Sequence, residues 1–242
     1  MKRILITAVA LVTIQSIHAQ GIKGLIKKAV TKDSSSQKST GLSTSDVADG
    51  LKEALNIGVK NGAEKLSAVD GFFKDAAIKI LMPPEAQKVM DAVSKIPGGQ
   101  KMVDDAILSM NRAAEDAAKS AAPIFVTAIK NMSINDAFGI LKGGDSAATT
   151  YLRNQTTKPL TEAFRPTIEQ SLAKVNATQY WNTLIGTYNK IPFTKKLNPD
   201  LAAYVTDKAL FGMFYQVAQE EQKIRKNPVA QTTNLLKKVF GK

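Results

Sequence analysis

Arg112 and Glu115 stand three residues apart in the run Ser109-Met110-Asn111-Arg112-Ala113-Ala114-Glu115. On a helix that spacing sets a guanidinium beside a carboxylate. Asn111 flanks the apolar stripe that carries Ile107 and Ala114, so its amide falls at the edge of a core. Arg165 is fixed beside Pro166 and could meet, from another helix, either Glu115 or Asp145, which stands where a helix should start. Asn111, Arg112, Glu115, Asp145 and Arg165 therefore form the candidate polar cluster, read first as a structural network and second as a ligand site. None is assigned a catalytic role, and none is assigned to a metal.

Other constellations are weaker. Asp104-Asp105, Glu115-Asp116 and Glu220-Glu221 are sequence neighbours on helices, so their carboxylates diverge, and solvated helix faces explain them best. Ser171-Leu172-Ala173-Lys174 has the spacing of serine–lysine hydrolases, but no Ser-Asp-Asn or Lys-Thr-Gly accompanies it. Gly139 to Gly144 superficially suggests a phosphate loop, yet it lacks the Gly-Lys-Ser/Thr ending and reads as a plain turn. The chain has no cysteine and one histidine, His18. Lys2 and Arg3, the apolar run Ile4 to Ile14 and the small residue Ala19 have the form of a secretory signal peptide, residues 1–19. Cleavage after Ala19 would remove that histidine. The mature chain would then have no Ser-His-Asp or Cys-His machinery, no zinc site of the usual kind and no His- or Cys-ligated haem. No cofactor is expected, and the expected location is the periplasm.

These residues need a scaffold, and the pattern of apolar positions supplies a helical one. Residues 20–42 read as a flexible basic tether. Ile22, Leu25, Ile26 and Ala29 recur at helical spacing among lysines, and a serine-rich stretch follows. The folded domain is expected over 41–242. Ser43 and Asp46 have the spacing of a capping box ahead of Val47, Leu51, Leu55, Val59, Ala63 and Leu66, a helix of about 22 residues. Gly50, Gly58 and Gly62 on it suggest close helix packing. Residues 70–82 interrupt the pattern, with 77–82 an extended linker or one short strand before Pro83-Pro84. Further helices are predicted over about 85–96, 100–120, 123–132, 134–141 and 145–163, the last kinked at Pro159. Arg165-Pro166 marks a break before helices at 167–175, 177–190, 199–226 and 228–240. The expected architecture is all-α, about nine helices in one large globule or two packed bundles.

Several segments together resemble a bacterial family catalogued as domain of unknown function 4197. They are Gly41-Leu42-Ser43…Asp46 running on to Gly50-Leu51-Lys52-Glu53-Ala54-Leu55, then Ser109 to Glu115, Phe164-Arg165-Pro166, and Thr232 to Phe240. The likeness covers about 41–241. It implies an exported helical protein of Gram-negative bacteria, and it transfers no catalytic residue.

A formal net charge of +12 favours anionic lipid or a polyanionic envelope polymer as partner. Nucleic acid is not expected, because export separates the chain from the chromosome and no nucleic-acid motif is present. The densest basic patch, Lys223 to Lys226 with Lys237-Lys238, lies at helix ends where it suits the macrodipole. Tyr180, Trp181, Tyr188, Tyr204, Phe211, Phe214 and Tyr215 sit at core-like spacing and could also line an apolar pocket. Two readings follow. The preferred one is a non-enzymatic envelope protein that binds a partner, lipid or polymer through its surface. The alternative is a small-ligand-binding protein or enzyme that uses carboxylate, lysine or tyrosine groups in an interhelical pocket. A cleft gathering ionisable side chains would favour the alternative.

Overall fold

The computed structural model describes residues 43–226, apart from positions 191, 194, 195 and 199. Residues 1–42 and 227–242 therefore lie outside it, and with them the signal peptide, the tether and the helix expected over 228–240. Among the described residues there are eight α-helices, one 3-10 turn and no β-strand. The helices are α1 (Thr44–Ser67), α2 (Gln87–Ser94), α3 (Gly99–Ala118), α4 (Ala121–Lys130), α5 (Ile134–Lys142), α6 (Ala147–Lys174), α7 (Ala177–Tyr188) and α8 (Leu201–Lys226). The 3-10 turn, Pro84–Ala86, leads into α2.

The capping signals act as their residue types require. Ser43 Oγ accepts the Asp46 amide at 3.1 Å while Asp46 Oδ2 accepts the Ser43 amide at 3.0 Å. Ser133 and Asp136 repeat the arrangement at the start of α5. Each exchange satisfies two backbone donors that a helix start leaves orphaned. The stripe from Ala48 to Leu66 then turns α1 towards the core. Gly58 and Gly62 let α8 come close: a methyl on either would lie 3.3 Å from Glu220 Cβ or Gln216 Cγ.

Helices α3 and α8 each pack on α1, on α6 and on one another, and α6 packs most extensively on α8 and α3. Their apolar faces form one continuous cluster in which Phe125 of α4 meets Phe214 of α8 edge-on, with ring centroids 5.9 Å apart. Gly212 of α8 leaves room for Phe72, whose ring carbon would stand 2.4 Å from a methyl placed there.

Helix α6 departs from the sequence expectation. It runs unbroken through Pro159 and Pro166, so the helices expected over 145–163 and 167–175 are one. Leu152, Thr156, Leu160, Phe164, Ile168 and Leu172 recur every four residues and are all fully buried. That continuous apolar face outweighs the cost of two prolines. Both prolines are on the exposed side, and the carbonyls that lose their donors belong to the exposed residues Gln155 and Glu162. Asp145 does not cap this helix. Ser146 holds the cap position without a side-chain bond, and Glu221 of α8 supplies the acceptor instead. Likewise α8 begins at Leu201, with Asp200 accepting the Ala203 amide at 2.9 Å, rather than at position 199.

Candidate functional site

The polar residues of α3 hold the segment between α1 and the 3-10 turn, which has turns but no strand. Asn111 is fully buried. Its Oδ1 accepts the Ile80 amide at 2.9 Å, and its Nδ2 donates to the Ile80 carbonyl at 2.8 Å and the Ile107 carbonyl at 2.7 Å. One side-chain amide thus gives Ile80 what a neighbouring strand would give, and Ile80 can be buried without orphaned backbone groups. Glu115 does the same one turn further along. Its Oε1 accepts the amides of Phe72 and Phe73 at 3.1 and 3.3 Å, and its Oε2 accepts Arg112 Nη1 at 2.6 Å. Arg112 Nη2 reaches Asp70 at 2.7 Å. Asp70 has φ of 70°, the left-handed conformation that aspartate tolerates after a helix end. Lys74 and then Arg112 hold the Asp70 carboxyl below the usual carboxylate range, and Glu115 and Asp70 raise Arg112 further.

Arg112 and Glu115 pair as their three-residue spacing suggested, while Asn111 holds Ile80 separately. The other two members of the expected cluster lie elsewhere. Arg165 does not meet Glu115 or Asp145. It pairs with Glu169 one turn along α6, at 2.8 Å, and with Asp200 at 2.7 Å. Because α6 does not break at Pro166, Arg165 stays on that helix's flank. Asp145 pairs with Lys226 at 2.9 Å. The acidic doublets also need correction. They diverge as expected, but Glu115, Glu220 and Glu221 are buried rather than on solvated faces. Glu221 accepts the amides of Ala148 and Thr149 at 3.0 and 2.8 Å and the Thr149 hydroxyl at 2.7 Å, with Arg225 beside it at 2.8 Å. Nothing local in sequence announces this burial, because the amides that Glu221 accepts belong to residues more than 70 positions away.

The basic run at the end of α8 is committed internally. Lys223 pairs with Glu220, Arg225 with Glu221 and the Ile140 carbonyl near the end of α5, and Lys226 with Asp145.

The other side of the α3 network faces a groove of about 900 Å³. Its lining comes from α3, the linker before the 3-10 turn, α2, the end of α6, the start of α7 and Leu201. Met82, Met90, Met102 and Met110 line it, with Trp181 and Leu108. Trp181, the only tryptophan of the chain, is 5% exposed, and its indole N–H meets no acceptor. Val69, Met102, Val175 and Tyr180 also line the groove and are at least half exposed, so the rim is apolar where surfaces are usually polar. Tyr180 and Trp181 thus belong to the groove, whereas Phe214 is core and Phe211 stacks on Tyr215 at the surface.

Polar groups gather towards one part of this lining. Ser171 donates to Asp116 Oδ2 at 3.1 Å, and Lys119 binds Asp116 Oδ1 at 2.8 Å. Lys119, then Ser171, hold the Asp116 carboxyl below its ordinary range. Ser171 therefore spends its proton on a carboxylate with depressed basicity, and its hydroxyl is not paired with Lys174.

Over residues 41–241 the chain matches the family described as protein of unknown function (DUF4197). It belongs to that family. No curated protein and no solved structure matches the chain. The DUF4197 match spans every described residue, so the α3 network and the groove both lie inside the family's domain.

Proposed function

We propose that this DUF4197 domain is a binding protein for a small apolar ligand held in the groove over α3. The observation that carries this is the groove itself: about 900 Å³, within the usual range for ligand sites of about 300–1,000 Å³, with a methionine-rich lining and an apolar rim. Methionine side chains adapt to ligands of varied shape. Binding rather than catalysis fits the lining's charged groups. Arg112, Glu115, Asp116 and Lys119 are engaged in ion pairs, and the basicity of Asp116 is depressed rather than raised towards neutrality. Export through residues 1–19 belongs to the same proposal and sets the ligand among the molecules of the cell envelope.

Trp181 makes the test direct. The neutral probe N-phenyl-1-naphthylamine should brighten on adding protein and quench Trp181 by energy transfer with a saturable stoichiometry of one. Ala106→Phe, which fills the groove from a half-buried position on α3, should abolish both signals while keeping the helical circular dichroism. Unchanged probe binding in folded Ala106→Phe would remove the groove as the site.

A further inference from the structure

The groove's lining is asymmetric along α3, and the asymmetry specifies a ligand. From Met102 to Lys119 the lining follows α3 for about 25 Å, at a rise of roughly 1.5 Å per residue. The first part contributes Met102, Val103, Ala106 and Met110, and its one charged residue, Asp105, is exposed and tied to Lys101 at 2.6 Å. The last part contributes Arg112, Glu115, Asp116 and Lys119, with Ser171 and Lys174 from α6 opposite. A long trough that is apolar at one end and ionic at the other matches an extended molecule with the same division.

The pairing of the lining charges gives the sign of the polar end. Asp105 is matched by Lys101, Glu115 by Arg112, and Asp116 by Lys119. Among the described residues Lys174 is the lining cation without an ion pair, and its positive field reaches the Asp116 carboxyl. Each lining carboxylate already has its cation, so a cationic head would find none free. An anionic head would find Lys174, at the exposed end of α6.

Building on the proposal that the groove binds an apolar ligand, we infer that the ligand is a single-chain carboxylate amphiphile. Its chain lies along the Met102–Met110 part of α3 and its head pairs with Lys174. The four methionines fit a flexible chain better than a rigid ring system. An aqueous rather than sealed head position fits the exposure of Lys174 and sets a modest, salt-sensitive contribution.

Three surfactants with the same twelve-carbon chain test this: dodecanoate, dodecanol and dodecyltrimethylammonium, each below its aggregation threshold, displacing N-phenyl-1-naphthylamine from the full mature protein. Dodecanoate should compete best, about three- to fivefold better than dodecanol at low salt, with the advantage shrinking as salt rises. Dodecyltrimethylammonium should compete worst. In Lys174→Gln the carboxylate advantage over the alcohol should disappear while dodecanol binding stays unchanged. Lengthening the carboxylate from ten to twelve carbons should tighten binding by more than tenfold, since each buried methylene contributes roughly fourfold. Equal binding of acid and alcohol, or a preference that survives Lys174→Gln, would overturn the headgroup assignment and leave the apolar-ligand reading intact. Failure of all three to displace the probe would instead overturn the apolar-ligand reading itself.

Discussion

Two joints in this molecule use one device with different surroundings. At α3, Glu115 accepts two backbone amides of the linker and is backed by Arg112. At α8, Glu221 accepts two amides of the first turn of α6 and is backed by Arg225. Both carboxylates are nearly sealed, with side chains 5% and 3% exposed, but the arginines differ at 37% against 14%. Arg112 reaches the groove and shares its charge with Asp70, whereas Arg225 is closed in against the Ile140 carbonyl. The same pairing can therefore lock a helix start in one place and hold a groove wall in another. What separates the roles is whether water can reach the cation when the anion is lost.

That difference sets the order of expected losses. Glu221→Ala leaves Arg225 buried without a carboxylate and the amides of Ala148 and Thr149 without acceptors. Removing one partner of a buried pair costs about 3–5 kcal/mol. For a domain of this size that is a fall in Tm of roughly 10–15 °C by thermal circular dichroism. Adding Arg225→Met should recover part of the loss, because the stranded charge is then gone. A fall of only a few degrees would mean that water replaces Glu221 at the helix start.

The α3 joint should break more gently. Glu115→Ala strands the Phe72 and Phe73 amides, but Arg112 keeps Asp70 and solvent, so about 2–3 kcal/mol is expected. Its neighbour separates stability from groove shape. Asn111→Leu unpairs both backbone groups of Ile80, two residues from the groove residue Met82. It should weaken N-phenyl-1-naphthylamine binding several-fold at a temperature where the variant is folded, while Glu221→Ala, compared in the same way, should not. Equal effects of the two on probe affinity would erase the distinction between the joints.

The contrast also marks how far sequence reaches. Short-range chemistry was legible: the capping box at Ser43, the apolar stripe of α1 and the Arg112–Glu115 pair follow from spacings of a few residues. Asn111 reads as an edge-of-core residue from the stripe it adjoins, but the structure buries it fully, because the linker carrying Ile80 covers that side of α3. Pro166 misled because proline's local cost is visible in sequence, while the compensating run Leu160, Phe164, Ile168, Leu172 gains its value only when packed. Glu221 and Arg165 were misplaced for a related reason. Their partners, Thr149 and Asp200, are set by how α6 and α8 dock, and no pattern within either segment encodes that. The groove was legible only as a possibility attached to Tyr180 and Trp181. Its methionines are scattered over the linker, α2 and α3, and Lys174 gains meaning only once every neighbouring charge is paired.

Acid should act on the α3 joint through Asp70. The Asp70 carboxyl is held below its ordinary value, about 3.9, by Lys74 and Arg112. A depressed folded-state value means stability that is fully present above about pH 4–5 and is lost as pH falls through the folded value. The Tm difference between the wild type and Asp70→Asn should therefore be constant from about pH 5 to 7 and shrink as pH falls below the ordinary carboxylate range. A difference that grew on acidification would have the wrong sign and would mean that Asp70 is protonated more readily in the fold than in the unfolded chain.

The smallest effect belongs to a residue that the sequence placed in the cluster. Asp145 pairs with Lys226 across α6 and α8, beside the Glu221–Arg225 joint, yet both side chains are more than half exposed. Lys226, with a smaller contribution from Arg225, lowers the Asp145 carboxyl, which shows proximity and not strength, because solvent screens a pair so open. Holding two mobile side chains together costs entropy that offsets most of the attraction. Asp145→Asn should therefore leave Tm unchanged within measurement at physiological salt, in contrast to Glu221→Ala a short distance away. The comparison has force because both carboxylates lie where α6 starts against the end of α8, and both face a basic residue there. If Asp145→Asn lowers Tm substantially, and does so equally at low and high salt, then Asp145 is acting through a packed contact and not a screened charge. Burial would then no longer be what separates the strong joint from the weak one.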